Sequence, residues 1–278
     1  IVVGDSVYSL SREGLALCLD AKKGAVKWSC NLITDFGVTN LKWGLSSTPL
    51  VVAGSVIYNA GEYGIALDAK TGKKRWGKRG LGSYSVPVVY KTSVIMFAQK
   101  YATAVDIQTG KEIWSYPWST KYDVNAADPV VAGDMILLSS GYGAGAVMLD
   151  VSTGTPRKLW QNKALKAHFS TPVYLNDAIF GVDGQAGRGN VVCLGRDGSV
   201  KWSEKTGFAS LMAADDKLII LTERGKLIVA EASPSRFQKI AEIDTGLGKT
   251  CWTQPVLSNG IIFCRNDKGK LLAIDVSN

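Results

Sequence analysis

Leu67-Asp68-Ala69-Lys70-Thr71-Gly72, followed by Trp76, is one copy of a phrase that recurs along the chain. Leu19-Asp20 with Gly24 and Trp28, Val105-Asp106 with Gly110 and Trp114, and Leu149-Asp150 with Gly154 and Trp160 repeat it. A fifth copy keeps Gly198 and Trp202 but has Gly195 in the Asp slot. The sixth, at Ala230-Glu231, runs into Ala232-Ser233-Pro234-Ser235 where the turn belongs, and a seventh, Ile274-Asp275, closes the sequence. The Asp slot moves from 20 to 275 in six steps, 42.5 residues on average. That spacing suits four short strands with their turns, and a unit repeated at such a period signals a repeat architecture.

A second phrase precedes each copy. It reads Ser47-Thr48-Pro49-Leu50-Val51-Val52, Ser85-Val86-Pro87-Val88-Val89, Ala127-Asp128-Pro129-Val130-Val131, Ser170-Thr171-Pro172-Val173-Tyr174 and Thr253-Gln254-Pro255-Val256-Leu257, with Met212 in the proline slot of the sixth unit. A turn such as Ala53-Gly54-Ser55 and an apolar run such as Val56-Ile57-Tyr58 follow, the pattern of a hairpin. Proline has no amide hydrogen to donate, so it belongs where a strand begins. Each unit therefore reads as four strands: one after Pro, a second, a third ending in Leu-Asp, and an outer one carrying Trp.

No such sheet buries both faces alone. Radial stacking covers them, which makes the fold class all-β, a β-propeller of four-stranded antiparallel blades with seven repeats visible and seven or eight in the whole protein. The Asp is expected to accept hydrogen bonds from the turn that follows, and the Gly to supply positive φ. Residues 1–278 read as one propeller domain. The opening Ile1-Val2-Val3 aligns with Leu50-Val51-Val52, so residues preceding the chain and the outer strand of the last blade are expected to be missing. The longest helix-like stretch, Lys163 to His168, is too short to matter.

The combined phrase, from Pro-Val-Val through Leu-Asp-Ala-Lys-Thr-Gly-Lys to Trp, resembles the tryptophan-docked blade of the pyrroloquinoline quinone (PQQ)-like β-propeller repeat family, over essentially the whole chain. That resemblance implies relatives among quinoprotein dehydrogenases, an outer-membrane-assembly propeller and other exported bacterial proteins. It also implies a periplasmic or exported location. Fold alone does not assign function. A WD-type repeat fits poorly, since the chain has one histidine.

No apolar run reaches the ~18 residues that a membrane-spanning helix needs. The net charge is +8, densest at Lys70, Lys73, Lys74, Arg75, Lys78 and Arg79. These fall on the outer turn and strand of one blade without interleaved aromatics, so a solvated rim is the reading and a nucleic-acid partner is not. Cys18, Cys30, Cys193, Cys251 and Cys264 lack metal-ligand spacing and read as buried thiols.

The loops leading into the first strands differ from one another while the strands repeat, which marks them as the place for binding residues. Trp43, Tyr84, Asn125, Asp128, His168, Trp252 and Gln254 lie there, and Arg224 on a loop between second and third strands. Together they are the candidate ligand-binding set at the mouth of a propeller funnel. A second group of second-to-third-strand positions holds Asn59, Gln99, Lys100, Asp183, Glu223 and Arg265. Duller roles compete: Trp43 and Trp252 as core caps, His168 as a structural residue, Asp128 as a turn cap.

Three functions follow. The first is a non-catalytic scaffold binding a protein or small-molecule ligand, with no catalytic residue and no cofactor. The second is a PQQ- and calcium-dependent dehydrogenase, against which stand the absence of adjacent cysteines and of a clear Glu, Asn, Asp calcium set. The third is a hydrolase or lyase using carboxylates and His168. One histidine among scattered cysteines does not make a zinc site.

Overall fold

The structure, a computed structural model, describes residues 1–277. Apart from a two-stranded parallel pair, Val38–Thr39 with Gly80–Leu81, strands come in consecutive groups, each an antiparallel sheet in sequence order. Six groups have four strands and span residues 2–31, 50–78, 88–117, 130–162, 173–204 and 209–244; the seventh has three, Val256–Ser258, Ile261–Arg265 and Leu271–Asp275. These are blades 1 to 7 of an all-β propeller. By compactness the chain divides into two units, Ile1–Ile136 with Asp150–Arg157 and Leu137–Leu149 with Lys158–Asn278.

The second strands of blades 2, 3 and 4, Ser55–Tyr58, Ser93–Phe97 and Met135–Ser140, are buried on both faces, which is why their centres read as apolar runs. In the first unit, Val56 and Tyr58 pack with Tyr8, Cys18 and Leu32 of the preceding segment, while Ile57 between them packs with Val94, Met96 and Val105 of blade 3. Alternate side chains of one strand thus join two different cores, as period two requires. The second unit repeats the device: Leu218 and Ile220 join Phe180 and Cys193, whereas Ile219 and Leu221 join Ile262 and Cys264.

The recurring phrase does what its residues allow. Asp68 Oδ1 accepts from the backbone N–H of Lys70 and Thr71 at 3.1 and 2.9 Å, and Asp20 and Asp106 do the same in their turns. The outer tryptophan then reaches the next blade. Trp28 Nε1 donates to Ala69 O at 2.9 Å, Trp76 to Ile107 O at 2.9 Å, Trp160 to Arg196 O at 2.7 Å and Trp202 to Ser233 O at 2.9 Å. In blades 1, 2, 3 and 5 a bulge between third and fourth strands sits beside the tryptophan, with Trp28 opposite Cys18, Trp76 opposite Ala66, Trp114 opposite Ala104 and Trp202 opposite Cys193. In blade 6 the same register position holds Ala241.

Gly110 is the floor of one such seat. A Cβ there would lie 2.6 Å from the Trp76 ring, and φ is +67°. Gly24 has the same φ of +67° but nothing within 4 Å of its Cβ position. Gly110→Ala is therefore expected to lose about 1–3 kcal/mol more than Gly24→Ala, since both carry the backbone strain and one also overfills a contact. Urea unfolding midpoints of the two variants measure the difference; equal losses would show that the ring does not rest on Gly110.

Two elements depart from the expectation. Where proline leads, the first strand has three residues, as in Leu50–Val52, Val88–Tyr90 and Val173–Leu175; in blade 6, with Met212 in that slot, it runs Ala209–Ala214. An amide is now available, and Ser210 and Ala209 extend the ladder against Leu221 and Thr222. The helix lies at Leu32–Phe36, not at 163–168. Asn31 Oδ1 caps its start by accepting from Ile33 and Thr34 N–H, and Gly37 at φ 69° ends it. The basic cluster lies on the outer strand Lys74–Lys78 and its flanks, as expected, with Arg75 paired to Asp68 at 2.7 Å.

Candidate functional site

The candidate residues divide between the two units. In the first, Trp43 is 53% exposed and its ring lies 5.9 Å from that of Tyr84. The Trp43 N–H donates to Tyr84 Oη at 3.4 Å, and Lys42 Nζ stands 5.1 Å over the indole. Asn125 and Asp128 serve the fold. Asn125 is 1% exposed, its Nδ2 donating to Ala98 O at 2.7 Å and Gln99 O at 3.1 Å, and Asp128 Oδ1 accepts from Val86 N–H at 2.6 Å. These bonds tie neighbouring loops together and leave the two side chains little to offer a ligand through those atoms.

In the second unit a run of rings links the candidates. Tyr142 meets His168 edge-on at 4.8 Å, His168 meets Phe169 at 4.7 Å, and Phe169 meets both Phe208 at 4.7 Å and Trp252 at 5.3 Å. Trp252 is 46% exposed, so it does not cap the core. Its Nε1 donates to Glu223 Oε1 at 2.7 Å, and the same oxygen accepts from Gly187 N–H at 3.2 Å. Glu223 is 5% exposed, with Lys249 Nζ 3.9 Å from its other oxygen. Gln254 Nε2 donates to Leu211 O at 2.8 Å. Arg224 is exposed and has no ion pair among the described residues.

Phe169 and Phe208 are absent from the sequence-derived set, and Glu223 stands there only in its second group. Phe169 and Phe208 sit beside His168 and Ala209 in the variable loops, which was the available signal. Their mutual contact, made between blades, is not readable from spacing.

His168 does not have the surroundings of a general base. Its Nδ1 is buried without a hydrogen-bond partner, and burial lowers its pKa below the ordinary histidine value. The folded state thus binds this proton less readily than the unfolded state does. Stability is full above the unfolded pKa of about 6.5 and falls as pH drops through it. Because the chain has one histidine, His168→Phe is expected to flatten the decline in urea midpoint between about pH 7 and 5. An unchanged slope would place its origin elsewhere.

The cysteines are free thiols, four of them buried. Burial pushes Cys30, Cys193 and Cys264 up to about 11, far from a nucleophilic thiolate. Among the described residues no group of three or more His, Cys, Asp or Glu side chains is placed to share a metal ion. No helix among them is long and apolar enough to cross a membrane.

Residues 1–204 match the family model described as outer membrane protein assembly factor BamB. The chain belongs to that family. Its blades carry the PQQ-like repeat that the recurring phrase resembles. Among solved structures, BamB from Moraxella catarrhalis is similar at 18% identity and a TM-score of 0.76, over 98% of this chain and 80% of that one. Sqt1 from Saccharomyces cerevisiae matches at 13% identity and 0.71, over 99% and 82%. A europium-containing methanol dehydrogenase matches at 13% and 0.66, over 99% and 75%. These likenesses establish a shared fold across proteins of different activities. No curated protein matches the chain.

Proposed function

We propose that this chain is a non-catalytic, periplasmic binding scaffold that needs no cofactor and holds a protein component of an outer-membrane assembly machinery. The observation that supports it is the state of two tryptophans. Trp43 and Trp252, one in each unit, are about half exposed, yet each is held in place, by Tyr84 and by Glu223. Large aromatics that keep little freedom to lose and still present a face to solvent are the residues that anchor protein interfaces.

Family membership points the same way, since the matching description is that of an assembly factor. The test is deletion of the gene in the source cell and its re-expression, with outer-membrane protein levels as the readout. Deletion is expected to lower them and re-expression to restore them. Levels that do not respond, or dye-coupled alcohol oxidation by the purified chain with added PQQ and calcium, would overturn the proposal.

A further inference from the structure

We infer that the loops around Glu223 seat an acidic, extended polypeptide segment that lays an apolar side chain on Trp252. This rests on the protein-binding reading and names the chemistry of the partner. Glu223 is the hub, bonded to Trp252 Nε1 and Gly187 N–H and close to Lys249 Nζ. The loops are fixed to one another through backbone bonds as well: Glu223 N–H donates to Phe208 O at 2.8 Å and Cys251 N–H to Glu223 O at 2.9 Å.

Each segment that meets at this hub brings a cation to the surface. Arg188 follows Gly187, Arg224 follows Glu223, and Lys249 is 60% exposed; both arginines are exposed without an ion pair among the described residues. Three cations are therefore carried by residues in or next to the loops that meet at one carboxylate, and that carboxylate is buried and engaged. The nearby acids are occupied too: Asp183 by Lys166 Nζ at 2.7 Å and Lys166 N–H at 2.8 Å, and Asp267 by Thr250 N–H at 3.2 Å.

Unpaired guanidiniums are built to take carboxylates in a fork, and the half-exposed indole bonded to the same Glu223 accepts an apolar side chain. An extended chain alternates its side chains and so can present acidic and apolar groups in turn. A nucleic acid would ask for a longer stripe of cations along a backbone path than these three residues supply.

The experiment uses the full chain and two fluorescein-labelled 12-residue peptides, one alternating Glu with Leu and one alternating Lys with Leu, followed by anisotropy at low and high salt. The Glu peptide is expected to bind at least tenfold more tightly than the Lys peptide, and more weakly as salt rises. Arg224→Glu, on an exposed side chain, is expected to weaken it at least tenfold, while Lys70→Glu in the first unit leaves it unchanged. Equal affinity for both peptides, indifference to Arg224→Glu, or tighter binding to phosphatidylglycerol vesicles or single-stranded DNA would overturn the inference. If re-expression restores outer-membrane protein levels while the peptides fail, the acidic segment is wrong and the scaffold stands. If the peptides behave as expected while those levels do not respond, the assembly role falls.

Discussion

Trp76→Ala is expected to lower stability by about 3–5 kcal/mol, the range for emptying a buried aromatic site. Trp76 is 8% exposed, sits with Ile57, Val94, Met96 and Val105, and rests against Gly110. Its loss opens a void between blades 2 and 3 and leaves Ile107 O without its indole donor. A repeat protein holds together through contacts between neighbouring repeats, so the damage falls on that pair first. Urea unfolding followed by far-ultraviolet circular dichroism measures it. A loss under about 1 kcal/mol would mean that the strands' own core, not the tryptophan, joins these blades. The double variant Trp76→Ala with Gly110→Ala is expected to cost less than the sum of the two, because each residue is the other's contact.

Trp252→Ala is expected to do the opposite. Half exposed, this indole contributes little to the core, but its Nε1 is one of the donors that Glu223 Oε1 accepts. Stability should fall by about 1–2 kcal/mol, the cost of leaving a buried carboxylate short of a donor. Partner binding should fall by about 30-fold or more, the loss of an interface anchor worth about 2 kcal/mol. In the deletion strain this reads as a requirement for about 30-fold more protein to restore outer-membrane protein levels. Restoration at ordinary expression, with a strongly destabilised chain, would make Trp252 a structural residue. Glu223→Gln separates the cases, because it keeps an acceptor for the indole and removes the charge; it should bind an acidic segment no worse than the native chain does.

What the sequence determined by itself was the blade and its internal detail. The Asp-turn-Gly phrase, the leading proline and the apolar runs are local rules, decided by backbone donors and φ preferences within a few residues, and they repeat often enough to make seven units visible in this chain. Even the long first strand of blade 6 follows from one local change, Met212 for proline. The five-residue helix was written locally too, in Asn31 and Gly37, but is short enough to pass as loop. Tertiary structure alone decided which variable-loop residues are available. Asn125 and Asp128 bond to backbone in neighbouring loops, whereas Trp43 and Trp252 remain open to solvent and Glu223 becomes the point where three loops meet. The reason is that exposure and partnership depend on atoms that arrive from other blades. Spacing along one blade carries no record of them.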